Sequence, residues 1–327
     1  MDYLSFFSKE LLKELGILDF GYTEISKASS FNQFKKWIDQ GHQANLKYLE
    51  NDKMTQREDI KNYFPEFQSA FVFLFDYRAE KKMLEKHYQT KESNNFKIGS
   101  YTLIDQGSDY HFSIREKLEK LSAVLKEYSP EIQFRFSLDT QPILERDLAY
   151  RAGLGWFGKN SMLIHQKYGS FFLIGAILCD QKFKASIKII DSDHCGTCLA
   201  CVDACPTAAI NPIDRSVETQ KCVPYFTIEV FKDIEIPPQG YAEMQEVFGC
   251  DICQDVCPWN KKSLGQLNDE NKPTKTDLFN FFLEQDKMEM EESLKKMSKK
   301  EYKRKFKNTS FERVGRDGFL KNLKYKK

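Results

Sequence analysis

The chain has 327 residues, 41% hydrophobic and 30% charged, with a formal net charge of +1, a composition that supports a globular protein with a real core and two or three domains. Residues 1–10 contain no basic start, no long apolar run and no twin arginine, so the chain is expected in the cytoplasm. No apolar run reaches membrane-span length, which excludes a helical membrane protein.

Apolar residues recur at helical spacing over 6–15, 31–38, 114–128 and 143–152. Strand-like runs alternate with them at 20–25, 70–77, 134–138, 161–165 and 171–178. The pattern predicts an α+β protein with a mixed α/β domain over 1–182, a cysteine-rich unit over 183–262, and a linker and basic helical segment over 263–327. Residues 261–276 read as a polar linker, and the charges over 289–307 predict an exposed helix. Residues 295–327 carry 14 Lys and Arg against three acidic residues, so the preceding chain is net acidic. A basic tail on an acidic body fits a polyanionic partner, and equally a solvated helix face.

Eight of the nine cysteines fall in one interval: Cys195, Cys198, Cys201 and Cys205-Pro206, then Cys222, then Cys250, Cys253 and Cys257-Pro258. Three cysteines at successive two-residue gaps can surround one face of an iron–sulfur cube, and a following Cys-Pro supplies a ligand to a second cube. Eight thiolates thus predict two 4Fe-4S clusters. By the crossover rule of two-cluster ferredoxins, Cys195, Cys198, Cys201 and Cys257 hold one, while Cys205, Cys222, Cys250 and Cys253 hold the other. A pair of structural zinc sites is the competing reading, though zinc rarely uses such a triplet. Disulfides do not suit close-set cysteines in a chain without an export signal. Cys179, in an apolar run, reads as a buried core thiol.

Gly153, Gly155 and Gly158 match the spacing of a dinucleotide-binding loop, but that loop follows a strand and opens a helix, whereas here a helix precedes it. Gly153 instead reads as a helix C-cap. The next glycines would permit close approach to a ligand or a neighbouring element.

The segment 139–160, read together with the cysteine region, closely resembles epoxyqueuosine reductases. Tyr48-Leu49 with Arg57, Gly107 to His111, Cys222 to Glu229, and Gly249 to Asn260 also match, in order, across nearly the whole chain. The resemblance implies an oxidoreductase with cobalamin and two 4Fe-4S clusters that reduces the epoxide of epoxyqueuosine, at the wobble position of a tRNA anticodon, to queuosine. The N-terminal domain would hold the cobalamin, an external low-potential donor would supply electrons, and the protein would act as a monomer away from membranes.

The same resemblance makes Asp139 the proton donor and puts Asp109, His111 and Arg146 in the substrate pocket. A carboxyl at a strand end beside an apolar corrin face would have its pKa raised, as a general acid requires. Arg57, Asp139, Leu163, Ile174, Val223, Cys257 and Pro258 would contact cobalamin. Without the resemblance, Asp109 and Asp139 read as helix caps and Arg57 as a surface arginine. The loop 101–106 departs from the family pattern, being longer and more acidic, and the helical repeats that continue some relatives are not present. A reductive dehalogenase would use the same cofactors but is longer and exported. An electron-transfer ferredoxin module would need no large N-terminal domain. The basic tail would grip tRNA phosphates.

Overall fold

The structure, a computed structural model, describes residues 6–50, 53–90, 96–184, 193–230, 236–267 and 276–326. Four strands, β1 (Ile17–Thr23), β2 (Ser69–Asp76), β3 (Phe134–Ser137) and β4 (Phe172–Cys179), form an antiparallel sheet in the order β1-β2-β4-β3. In the centre, Ser69 of β2 faces Cys179 of β4 and Asp76 faces Phe172.

The N-terminal helices include α1 (Lys9–Glu14), α2 (Phe31–Asp39), α3 (Arg78–Thr90), α4 (Tyr110–Tyr128) and α5 (Glu145–Arg151), with shorter ones at Lys53–Glu58 and Ile104–Gly107. Alternate residues of β2 serve separate cores, because successive side chains leave a strand on opposite faces. Phe71, Phe73 and Phe75 pack with Ile114, Leu118 and Leu121 of α4. Ala70, Val72 and Leu74 pack with Leu148 and Ala149 of α5. Helices on both faces of an antiparallel sheet make the fold α+β, as the alternation of elements predicts.

α1 is shorter than its sequence pattern because Ser8 caps it, accepting from the Leu11 amide at 3.1 Å. Phe6 and Phe7 stay outside the helix and fill the core instead. The expected strand at 161–165 shrinks to Leu163–Ile164, paired with Trp156–Phe157 outside the main sheet. That hairpin explains the glycines. Gly153 has φ +76 just beyond α5, and a Cβ at Gly155 would stand 2.2 Å from the Ile164 carbonyl oxygen. The glycines serve close approach to a neighbouring strand. Cys179 is fully buried, and burial pushes its thiol well up.

The C-terminal part differs most from its sequence reading. Helix α6 (Pro258–Gly265) occupies the start of the expected linker and runs across the expected boundary at 262/263, with Asn260, Ser263 and Leu264 buried. Residues 268–275 of that linker lie outside the described residues. The charged stretch 289–307 is two capped helices, α8 (Lys287–Lys296) and α9 (Lys299–Lys305), between α7 (Asp277–Leu283) and α10 (Ser310–Lys324). Their apolar faces are not exposed. Phe279, Phe282, Met290, Leu294, Tyr302 and Phe319 form one core with Phe248 of the cysteine unit and Leu84, Phe96 and Leu103 of the N-terminal part. The basic segment is a structural layer. Among the described residues no helix is long and apolar enough to cross a membrane.

Candidate active site

The candidate active site is built where α4 begins and β3 ends. Asp109 caps α4, its carboxylate accepting the His111 amide N–H at 2.9 Å. The same oxygen lies 2.7 Å from His111 Nδ1, which holds the imidazole ring. Tyr110 stacks on His111 with ring centroids 4.1 Å apart. The Tyr110 hydroxyl donates to Asp139 Oδ2 at 2.6 Å, and His111 Nε2 stands 3.7 Å from that same oxygen. Capping and cleft-facing roles therefore coincide at Asp109. The cleft is open, since 65% of the Asp139 side chain meets solvent.

Asp139 lies just past β3 with φ +59, a left-handed conformation. Glu145, the first residue of α5, turns back over this bend. One of its oxygens accepts from both Ser137 Oγ at 2.9 Å and the Asp139 amide at 3.0 Å.

The expected rise in the Asp139 pKa belongs to a carboxyl beside a corrin face. Among the protein's own groups, His111, 3.7 Å away, holds Asp139 below the usual carboxylate range, outweighing the opposing effect of burial, with help from Tyr110 and Arg146. The proton is held next door. Burial pulls the His111 pKa down, but the hydrogen bond with Asp109 and the nearby charges of Asp109 and Asp139 lift it to about 9. Glu145 is the carboxyl pushed up, to about 7, by burial and then by the Asp139 charge.

Arg146 donates to Ser161 and reaches Asp139 electrostatically. Arg57 is buried, not the surface arginine of a context-free reading; it donates to the Lys53 and Tyr48 carbonyls at 3.3 and 3.4 Å. Arg57 also lies within range of the Glu145 charge. Glu229 and Arg313 pair at 2.6 Å, and their charges are felt at Asp139 and Asp109 respectively.

The site thus gathers Asp109, His111, Asp139 and Arg146, with Arg57 at its edge. The apolar residues are not gathered in the same way. Leu163 and Ile174 share one core, Cys257 packs with Trp156 and Ile164, and Val223 packs with Phe226 and Tyr241. Pro258 is exposed as the first residue of α6. Sequence reasoning missed the roles of Tyr110, Glu145, Glu229 and Arg313. The first three lie inside segments that carry the family resemblance, whereas Arg313 had no local signal. A cavity of about 550 Å³ elsewhere, lined by Lys81, Glu85, Asp251 and Asp255, contains none of these groups. What marks the site is that Asp109, His111, Asp139 and Arg146, all in segments that carry the family resemblance, meet in one open cleft.

The cysteines are arranged by two short touching helices, Ala200–Asp203 and Ile252–Asp255. Burial raises the Cys257 thiol, and Cys195 and Cys198 raise it further. Cys201 responds to burial and then to Cys195, Cys257 and Cys198. In the second group burial lifts Cys222 to about 12, with Cys205 adding to it. Cys253 is raised by burial and then by Cys222, Asp251, Cys201 and Cys205, and Cys250 by burial, Glu246 and Cys253. Cys253 thus feels cysteines of both expected quartets, and the eight thiols lie in one neighbourhood. Thiolates crowded in this way repel one another unless cationic iron lies between them, so the donor set fits iron–sulfur clusters. Trp156 adds a buried indole N–H without an acceptor, packed in the same apolar group as Cys195 and Cys257.

Residues 194–260 match a family model described as "4Fe-4S double cluster binding domain", and residues 57–140 match one described as "Epoxyqueuosine reductase QueG, DUF1730". The epoxyqueuosine reductase of Cyclobacterium marinum is 34% identical over 315 residues, 95% of this chain and 93% of that protein. The one from Leadbetterella byssophila is 32% identical over 326 residues, 98% of each chain. A crystal structure of epoxyqueuosine reductase with an epoxyqueuosine-modified tRNA-Tyr stem loop superposes with a TM-score of 0.75 at 25% identity, covering 97% of this chain and 80% of that one. With this extent of identity over nearly its full length, the chain belongs to the epoxyqueuosine reductase family.

Proposed function

We propose that this protein reduces the epoxide of epoxyqueuosine in tRNA to the cyclopentene of queuosine, with Asp139 delivering the proton to the departing oxygen. The net reaction takes two electrons and two protons and releases water. The observation that carries the donor assignment is the contact of Asp139 with both Tyr110 and His111 in an open cleft. At neutral pH His111 holds the proton and Asp139 is ionised, so the proton passes from His111 through Asp139 as the departing oxygen takes it up, while Asp109 holds the ring. Arg146 and Arg57 offer donors for polar groups of the substrate and the cofactor.

Cobalamin, bound against the N-terminal domain, would supply the reducing nucleophile, with two 4Fe-4S clusters carrying electrons from an external low-potential donor. Arg57 supports this reading because, among the described residues, its buried guanidinium makes long bonds of 3.3 and 3.4 Å and keeps donors available for corrin amide oxygens. We assign Cys195, Cys198, Cys201 and Cys257 to one cluster and Cys205, Cys222, Cys250 and Cys253 to the other. Leu163, Ile174, Val223 and the Cys257-Pro258 turn remain our candidates for the apolar cobalamin contacts.

The test is anaerobic reconstitution with iron, sulfide, cobalamin and a strong reductant, followed by nucleoside analysis of tRNA carrying epoxyqueuosine. Queuosine should form, and only when cobalamin is present. Its absence from the complete mixture would overturn the activity, and its formation without cobalamin would overturn the cofactor.

A further inference from the structure

Asp139 occupies a conformation that few non-glycine residues adopt. Its φ of +59 is a left-handed geometry that residues with a Cβ seldom take, and no glycine lies between Phe134 and Ala152 to ease the bend. The bend is bonded by side chains that follow it in the chain. Ser137, completely buried, is the last residue of β3 and is held by its pairing with Ala176. Two residues later the chain must place a carboxylate in the open cleft. Among the described residues, the side-chain atom that bonds both sides of this bend is Glu145 Oε1, which accepts from Ser137 Oγ at 2.9 Å and from the Asp139 amide at 3.0 Å. A second, smaller brace comes from Gln141, whose side-chain oxygen accepts the Leu138 amide at 2.7 Å.

We infer that Glu145 is the positioning residue of the reaction: its carboxylate latches the Asp139 bend to the rigid end of β3 and thereby aims the proton donor. This rests on Asp139 being that donor. Glu145 itself does not touch the substrate in this account. It heads α5, a fixed helix buried against the sheet through Leu148 and Ala149, so the latch is anchored at both ends.

The charge of Glu145 matters as well as its shape. An ionised carboxylate binds an amide N–H about twice as strongly as a neutral acceptor. The charged groups facing Glu145 are Asp139, which opposes its ionisation, Arg57 on the short helix Lys53–Glu58, and Arg146, the next residue of α5; both arginines sense its charge. Burial and Asp139 bring its titration to about pH 7, so the latch would weaken as pH falls through that value. On the other side, His111 loses its proton at about pH 9. Activity should therefore have an acid limb set by Glu145 and an alkaline limb set by His111.

The experiment uses the fully reconstituted enzyme with modified tRNA and compares Glu145→Ala and Glu145→Gln with the unaltered protein and with Asp139→Asn. Cluster absorbance and tRNA affinity are measured on each to confirm intact protein. A misplaced donor costs rate rather than binding, so Glu145→Ala should lose about 100-fold in kcat while its tRNA Kd is unchanged. Glu145→Gln keeps an acceptor oxygen but not the titration. It should retain more activity than Glu145→Ala and lose the acid limb while keeping the alkaline one. An unchanged kcat in Glu145→Ala, or an acid limb that persists in Glu145→Gln, would overturn the latch. The two readings fail separately: full activity in Asp139→Asn removes the donor assignment, whereas an inactive Asp139→Asn beside a fully active Glu145→Ala removes the latch alone.

Discussion

Arg313 of α10 reaches Glu229, seven residues beyond Cys222, with a 2.6 Å ion pair that ties the C-terminal layer to the rim of the active site. Other basic residues of this region are also committed to the fold. Lys321 donates to the Phe226 and Val230 carbonyls and Lys326 to the Tyr241 carbonyl. Burial pulls Lys321 down to about 8 and Lys326 to about 7, so the formal charge of the segment overstates what a partner meets.

The surface available to tRNA is therefore smaller than the basic segment as a whole. Lys303, Arg304 and Lys307 are exposed at the end of α9. Replacing all three with Ala should raise the tRNA Kd and lower the salt slope by about 0.9 for each phosphate no longer neutralised, while the melting temperature holds. Binding measured between low and moderate salt checks this, and an unaltered slope would rule these residues out. Deleting 295–327 is a poor probe, because it removes Phe311, Phe319 and Leu323 from the core.

His111 makes the pH dependence specific. Its pKa is raised from an ordinary 6.5 to about 9, so the stability it contributes is complete below about pH 6.5 and is lost as pH rises through about 9. Asp109 and Asp139 are depressed, so their contribution is present above the ordinary carboxylate range and is lost only as pH falls through their lowered values. We expect His111→Asn to remove the alkaline inflection in both the rate profile and the melting curve. A retained inflection in the rate profile would assign it to another group.

The quartets of cysteines can be tested one cluster at a time. Cys222→Ala and Cys257→Ala should each reduce bound iron by about half, since each removes a ligand from a different cluster. Electron paramagnetic resonance should then show a different cluster surviving in each variant. Cys179→Ala should retain all the iron. If Cys222→Ala and Cys257→Ala impair the same cluster, the crossed assignment is wrong.

Phe282 measures how far the three parts of the chain share one stability. It is fully buried and stacks on Phe311 with centroids 3.9 Å apart, in the core that also holds Phe248 and Leu84. Phe282→Ala should cost about 3–5 kcal/mol. Because that core joins all three segments, denaturant unfolding should remain a single transition at a lower midpoint. A separate early transition confined to the C-terminal helices would contradict this.

Local chemistry explains what could be read without coordinates. Eight close-set cysteines announce iron–sulfur chemistry because ligand spacing is a local property. β2 and α4 follow from the period of their apolar residues, and the family segments include Asp109, His111 and Asp139. Their electrostatics did not follow. Local position does not show that His111, 28 residues away, meets Asp139 once β3 and α4 are packed and lowers its pKa among the protein's own groups. Lysines of the C-terminal segment look like a solvated tail because formal charge cannot reveal that Tyr302, Phe311 and Phe319 lie beneath them. The sequence by itself determined the iron–sulfur chemistry, the family and the principal elements. Only the tertiary structure decided which side chains share a field, and therefore where the proton is held, how Asp139 is aimed and which basic residues remain for tRNA.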